Sequence, residues 1–534
     1  MNTKKLWWMT SLMLVGAIVI AACGTAATAE PPAAAPVEEE PAAPAEEVPV
    51  EEVAEPAEDT RGTLRWVHYN QWGGQESLDP FSPTRMLPLI YLLYDRLVVL
   101  DANGVPSGDL ATSWEPDETG QTWTFHLREG VKFHDGKPLT SQDVLYSFQH
   151  MLDPDLASPL ASTLNLIDPE GISTPDDLTV VFNLTTPHAD FPFLLSDYRA
   201  RIIADGSVGT IEETGNGTGP FILEVMDLEG TTSVVANDNY WAGKPALARI
   251  TVVGIGDSDA RVQALLADQI DYDEEMSAEV IQLFEGNPDF VIQNNAAGYW
   301  QTMSMNVTVP PFDDPLVREA MKLVLDSEEA LAIVLEGSGT VACHNPVFPG
   351  DQYYLKRDCE QNIEQAIALL AEAGYPDGLT VTLTVSDVDP LMVPLAVVYQ
   401  AQAAEAGITV EINQIPSDAF WSEAWLIEPF VGSHWGERPA DQVLNEVFRC
   451  GAAWGETYWC NDEFEQNLDD ARTSLDFEDR KAIYQRAQEL QSSEGGEIIP
   501  FFVNNIRIFS TRLQGVGASY QYSNMPYYLW SISE

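Results

Sequence analysis

Trp123-Thr124-Phe125-His126-Leu127-Arg128-Glu129-Gly130-Val131-Lys132-Phe133-His134-Asp135-Gly136 is the stretch of this 534-residue chain that says most about its fold. From Trp123 to Arg128 apolar and polar residues alternate, the period of a strand with one buried face. Asp135-Gly136 then supplies a turn. Thr140-Ser141-Gln142-Asp143 resembles a capping box, with Asp where Glu or Gln is usual, and predicts a helix over Val144 to Met151.

Outward from there the same mixture continues. Leu64 to His68 reads as a first strand, followed by a loop, Asn70 to Pro83, rich in Gly, Gln and aromatics of the kind that lines sites. Thr179 to Leu184, Ser233 to Ala236, Ile250 to Gly254 and Thr380 to Val385 are rich in β-branched residues and read as strands. Helices are expected after Asp314-Pro315, where Val317, Met321 and Val324 recur at helical spacing, over Asn362 to Ala373 before Gly374, and over Asp479 to Gln491. Mixed elements over this length indicate an α/β or α+β chain with more than one lobe. Asp313 and Arg318 are expected to act structurally, by capping and by a helix-surface pair.

The N-terminus sets the compartment. Lys4 and Lys5 precede an apolar run, Leu6 to Ile20, too short for a membrane span, so residues 1–22 read as a signal peptide. The run ends in Ile20-Ala21-Ala22-Cys23-Gly24, which resembles a lipobox and makes Cys23 the expected lipidated residue. Residues 23–60 form the anchor and an Ala, Pro, Glu and Val tether that holds neither a basic nor an aromatic residue, and so cannot bury enough apolar surface to offset chain ordering.

The formal net charge is -57. Setting aside the two signal lysines and eleven tether acids leaves -48 on the body, which argues against a nucleic-acid partner. Four cysteines follow Cys23, and an exported chain sits where disulfides persist. Three pairings are possible, and local spacing favours Cys343 with Cys359 and Cys450 with Cys460. Neither pair has CxxC spacing and only His344 lies beside one, so no metal site is expected. The sequence has no H-E-x-x-H, G-x-S-x-G or P-loop spacing, and its seven histidines are scattered, so an enzyme is not expected.

In the body, Leu78-Asp79-Pro80, Tyr94-Asp95-Arg96-Leu97-Val98 and Leu110-Ala111-Thr112-Ser113-Trp114-Glu115 lead into the Trp123–Gly136 stretch. Asp143-Val144, Tyr146-Ser147-Phe148, Gly217-Thr218-Gly219-Pro220-Phe221, Asn239-Tyr240-Trp241, Pro311-Phe312-Asp313-Asp314 with Arg318, and Leu369 to Tyr375 then follow in order. This ordered set resembles the family 5 extracellular solute-binding proteins of ATP-driven importers, a group that takes peptides, glutathione, nickel complexes, haem and some oligosaccharides.

The resemblance implies a two-lobed, periplasmic-binding-protein-like clamshell of type II with an extra N-terminal subdomain. Lobe I would span 61–306, with the subdomain at about 81–205, lobe II would span 307–497, and residues 498–534 would return to lobe I. It implies a monomer that captures a small ligand, a peptide first among candidates, and hands it to ABC permease subunits from the outer face of a bacterial membrane or the periplasm, without a cofactor. A sensor for a membrane receptor is the alternative.

Trp435-Gly436-Glu437-Arg438-Pro439-Ala440-Asp441 is similar to the family's W-G-x-R-P-D-P-D variant, with Ala440 in an acidic position. Peptide-binding relatives hold the ligand's amino group with an aspartate near here, a role left open between Glu437 and Asp441. Arg438 suits a ligand carboxylate. Trp72, Tyr299, Trp300 and Trp435 are expected cleft walls, Asn306 a hinge or ligand contact, and His434 a lesser metal candidate.

Overall fold

The structure is a computed structural model that describes residues 59–101, 103–228, 230–517 and 525–533. Cys23, the signal segment and nearly all of the expected tether lie outside them. The alternating stretch is a strand, Thr122–Leu127, with Trp123, Phe125 and Leu127 turned inward. It pairs antiparallel with Ala111–Pro116 and Thr179–Leu184, and Ile167–Asp176 completes a four-stranded sheet. The helix runs over Ser141–Met151, starting three residues before the expected Val144 because Thr140 is its N-cap. Asp143 accepts the Thr140 backbone N–H at 2.8 Å, so the shorter acid still closes the box. Phe148 meets Phe182 edge to face, ring centroids 4.9 Å apart, which binds helix to sheet.

A twelve-stranded sheet forms the rest of the framework. Ten of its strands run in the order Ile408–Ile415, Leu379–Ser386, Phe430–Trp435, Phe290–Met305, Phe501–Ser510, Tyr272–Met276, Thr63–His68, Arg249–Gly254, Thr232–Ala236 and Phe221–Val225. Leu379–Ser386 alternates as Leu-Thr-Val-Thr-Leu-Thr-Val-Ser, and its parallel neighbour is reached through the helix Met392–Ala404, the crossover that parallel pairing requires.

Two long strands carry the sheet from one half to the other. Phe290–Asn295 pairs with Asn505–Ser510 in the first half, and Tyr299 and Trp300 pair with Val503 and Phe502 at the start of the second. Between Asn295 and Tyr299 the register shifts, so Ala296, Ala297 and Gly298 bulge out of the ladder. Asn306, expected at the lobe boundary, lies at the other end of this strand, where its N–H donates to Pro429 O at 2.8 Å.

Each half has its own core. In the first, Trp66 is fully buried against Tyr272, Tyr527 and Trp530, with ring centroids 5.3, 5.5 and 6.3 Å away, and the same apolar cluster runs on into the four-stranded subdomain. In the second, Leu383, Met392, Tyr399 and Phe430 pack on one face of the sheet, and Trp300, Trp435, Phe448 and Tyr484 on the other. Both disulfides sit in the second half, Cys343–Cys359 and Cys450–Cys460, with Cα atoms 5.3 and 4.8 Å apart.

Asp314 caps the helix Pro315–Leu323 by accepting Leu316 N–H at 2.9 Å. Arg318 does not make the expected surface pair: it is buried and donates to Phe312 O at 2.8 Å and Glu494 O at 3.0 Å. Its helix packs on the second-half core, so the guanidinium is drawn to the buried Phe312 carbonyl and to the Glu494 carbonyl at the end of the long helix Phe477–Glu494.

Candidate functional site

Strand direction locates the site. Thr63–His68 is parallel to Arg249–Gly254 and Tyr272–Met276, so the carboxyl ends of all three, and the chain leaving them at Tyr69–Trp72, lie on one edge. Leu379–Ser386 is parallel to Ile408–Ile415 and Phe430–Trp435, so Asp387–Asp389, Pro416–Trp421 and Gly436–Asp441 likewise leave from one edge. The long strands fix where these edges lie. Met276 is opposite Ile506 and Trp435 opposite Trp300, which places both sets of carboxyl ends at the 295–299 bulge, approached from opposite sides. Carboxyl ends of open α/β sheets are where ligands bind, because loops there are free to vary while the strands hold them in place.

From the first half come His68, Tyr69, Trp72, Glu274 and Glu275. His68 Nδ1 is hydrogen-bonded to Glu274, and the Trp72 ring stacks on His68 at 5.1 Å and 17°. Tyr69 also packs on that imidazole, tilted at 52° with ring centroids 4.5 Å apart. Glu275 keeps solvent-accessible surface, yet desolvation and the neighbouring Glu274 push its carboxyl up to about 7. Shielding by surrounding chain raises a carboxyl even where one side of it reaches solvent. Desolvation, reinforced by Glu275, also raises the Tyr69 phenol.

From the second half come Tyr299, Asp389, Trp421, His434 and Glu437. Tyr299 donates its hydroxyl to Asp389 and stacks on His434 at 5.5 Å and 27°. Burial and then Asp389 raise its phenol, with a smaller contribution from Glu275 of the first half. Burial lowers His434, whose Nδ1 lies 3.5 Å from Asp389 Oδ2. Trp421 stands edge-on to His434 at 5.9 Å and is 47% exposed. Glu437 Oε2 accepts the Gly298 N–H at 2.9 Å, tying the loop after Phe430–Trp435 to the bulge. A Cβ at Gly298 would stand 2.4 Å from Glu437 Cγ, so the approach needs glycine.

The structure therefore places Trp72, Tyr299 and Glu437 at the edges that meet at the bulge, and the other expected site residues elsewhere. Trp300 and Trp435 are opposite each other across two strands, stacked at 6.1 Å and 19° in the core with Phe448, only 1% and 6% exposed. Tyr299 precedes Trp300 on a strand and so points to the opposite face. Asn306 is a turn residue whose Oδ1 accepts from Thr308 N–H at 3.0 Å. Arg438 pairs with Glu446 at 3.0 Å and lies over the Trp435 ring, 5.0 Å from its centroid. Asp441 is buried and accepts two bonds from Arg472, both 2.8 Å, and one from Tyr484 at 2.8 Å. Against the cost of burial, Arg472 and His188 hold its carboxyl well below the usual range. Such a carboxylate is already satisfied and offers little to an incoming ammonium.

Tyr69, Glu274, Glu275, Asp389 and Trp421 were not expected from the sequence. The pattern that could have found them is positional: each lies within a few residues of a parallel strand's carboxyl end. Among the described residues no group of three or more His, Cys, Asp or Glu is arranged to hold a metal ion, and no helix is long and apolar enough to cross a membrane.

Residues 105–451 match the model for bacterial extracellular solute-binding proteins, family 5 middle. Di/tripeptide-binding protein 2 of Pseudomonas aeruginosa is 29% identical over 74% of this chain and 81% of its own length. The dipeptide-binding protein of Escherichia coli is 28% identical over 76% of this chain and 83% of its own. The solved structure of HbpA2 from Haemophilus parasuis superposes with a TM-score of 0.77 at 24% identity, covering 89% of this chain and all of the other.

Proposed function

Since the chain belongs to the bacterial extracellular solute-binding proteins of family 5, we propose that it captures a short peptide in the recess at the 295–299 bulge and delivers it to an ABC permease. Proteins of this family bind solutes for transport outside the cytoplasm and do not transform them. The observation that carries the reading is the meeting of two sets of strand carboxyl ends at one bulge of the two strands joining the halves. Rotation about residues 296–298 and 503–505 would bring Tyr69, Trp72 and Glu275 towards Tyr299, Asp389 and Trp421. A ligand drives such closure only if it contacts both edges better when they are close.

Peptide is preferred for two reasons. The curated relatives named above are peptide-binding proteins, and the recess combines aromatic faces with carboxylates able to receive an ammonium. Glu275, which reaches solvent, takes the amino-group role that the sequence leaves open between Glu437 and Asp441. Lipidation at Cys23 would keep the protein at the membrane beside its permease.

Thermal shift of the protein against di- and tripeptides tests the ligand class, because a ligand bound only by the folded state raises the melting temperature. A rise with peptides and none with nickel chelates or oligosaccharides is expected; the reverse pattern would remove peptide. Cys23→Ala should move the protein from membranes to the soluble fraction, and continued anchoring would contradict lipidation.

A further inference from the structure

Away from the strand crossing the halves touch again. His188, Ala189 and Asp190, which follow the subdomain strand Thr179–Leu184, meet Tyr353, Asp441, Arg472 and Arg480 of the second half. The Ala189 N–H donates to Arg472 O at 2.7 Å. Asp190 Oδ1 accepts the Tyr353 hydroxyl at 2.7 Å and lies 3.1 Å from Arg480 Nε. His188 Nε2 is 3.2 Å from Asp441 Oδ2, a bond to a carboxylate in which the ring nitrogen donates, and its buried Nδ1 has no hydrogen-bond partner. His188, Asp441, Asp190 and Arg480 are 2, 4, 7 and 8% exposed. Between the two sides remains a cavity of about 10 Å³, on the order of one water, lined by Asp190 and Leu194 from one and by Asp351 and Asp441 from the other.

The way these groups share partners is informative. Asp441 has Arg472 and Tyr484 within its own half, and Arg480 has Ser474 O at 2.6 Å and the Tyr353 hydroxyl at 2.7 Å. On separation His188, Ala189 and Asp190, the Thr163 hydroxyl, and opposite them the Tyr353 hydroxyl, the Arg472 carbonyl and one contact each of Asp441, Arg480, Gln442 and Glu446 would exchange protein partners for water, and such exchanges nearly balance. A seam that leaves no buried charge unpaired when it opens, yet fits closely when shut, is built for reversible contact rather than for permanent core.

We infer that His188–Asp190 and the Asp441, Arg472, Arg480 and Tyr353 surface form a ligand-independent clasp, which holds the clamshell shut for part of the time before any solute arrives. The inference rests on the clamshell reading given above. Its functional consequence is a lower apparent dissociation constant, since apparent affinity scales with the fraction already in the competent state.

The test uses the full-length protein without ligand, read by hydrogen exchange of the Ala189 amide and by the radius of gyration in solution. In the wild type that amide should exchange about ten-fold more slowly than exposed loop amides. The double variant His188→Ala/Asp190→Ala alters only the subdomain side. It should speed Ala189 exchange about ten-fold and enlarge the radius, while the Phe182 amide in the subdomain strand stays protected. Asp190→Asn, which keeps the shape, should fall between the two and guards against a folding defect in the double variant. Loop-like exchange of Ala189 in the wild type would overturn the clasp. Faster exchange without a change in radius would also overturn it, by showing a fixed seam. If triglycine leaves wild-type Ala189 exchange unchanged while the variants behave as described, the clasp stands and the peptide reading falls.

Discussion

The two halves of this molecule meet at two seams of opposite construction. At the 295–299 bulge they share backbone: two strands run through, and the contact is a hydrogen-bonded ladder with three residues looped out of it. At His188–Asp190 they share only side chains and one amide, between elements from distant parts of the chain. The first seam keeps its partners through any small rotation, because the covalent strands enforce them. The second has partners only when shut. A hinge and a fastening are thus told apart by which groups lose partners on opening, and buried area alone would not separate them.

Three substitutions press on this contrast, in descending size of effect. Asp441→Ala should cost about 3 kcal/mol of stability in urea unfolding, because it leaves the buried Tyr484 hydroxyl and His188 ring without their acceptor and the half-buried Arg472 guanidinium without its ion-pair partner. A loss under about 1 kcal/mol would show that the site hydrates readily and that the second seam is loose even within its own half. Gly298→Ala should cost about 1–3 kcal/mol, since the new methyl collides with Glu437 and the Gly298 N–H bond must give way. Adding Glu437→Ala should return most of that loss. If the double variant is no better than the single, the bulge is fixed by its ladder and not by the Glu437 contact.

The smallest effect is a pH dependence. Glu275 holds its proton up to about 7 when folded and releases it near 4.5 when unfolded. Its contribution to stability is therefore complete below about 4.5 and is lost as pH rises towards about 7. Relative to Glu275→Gln, the wild type should lose melting temperature across that interval, and parallel curves would mean that the recess leaves this carboxyl as solvated as one on open surface.

Local pattern accounted for more of the fold than of the site. The Trp123–Arg128 alternation, the Thr140–Asp143 box, the Asp314 cap and the short cysteine spacings all depend on residues within about twenty positions of each other, and each appears in the structure where the sequence places it. Site residues depend on register and distant partners. Tyr299 and Trp300 are neighbours of similar chemistry, and only the pairing of Trp300 with Trp435 decides which ring enters the core. Asp441 has the composition of an ammonium receptor until Arg472, 31 residues on, is folded against it. Glu274 and Glu275 read as unremarkable acids until Tyr272–Met276 is known to be parallel to Thr63–His68.

The Trp66 cluster has a consequence for how the chain is made. Trp66 lies on the first strand of the body, but Tyr527 and Trp530, which close the pocket around its ring, are synthesised only after the whole second half. A ribosome therefore releases the whole second half before the first can be completed. Chains interrupted by a late stop codon would carry an intact second half and an unfinished first, and quality-control proteases would meet them as half-folded substrates.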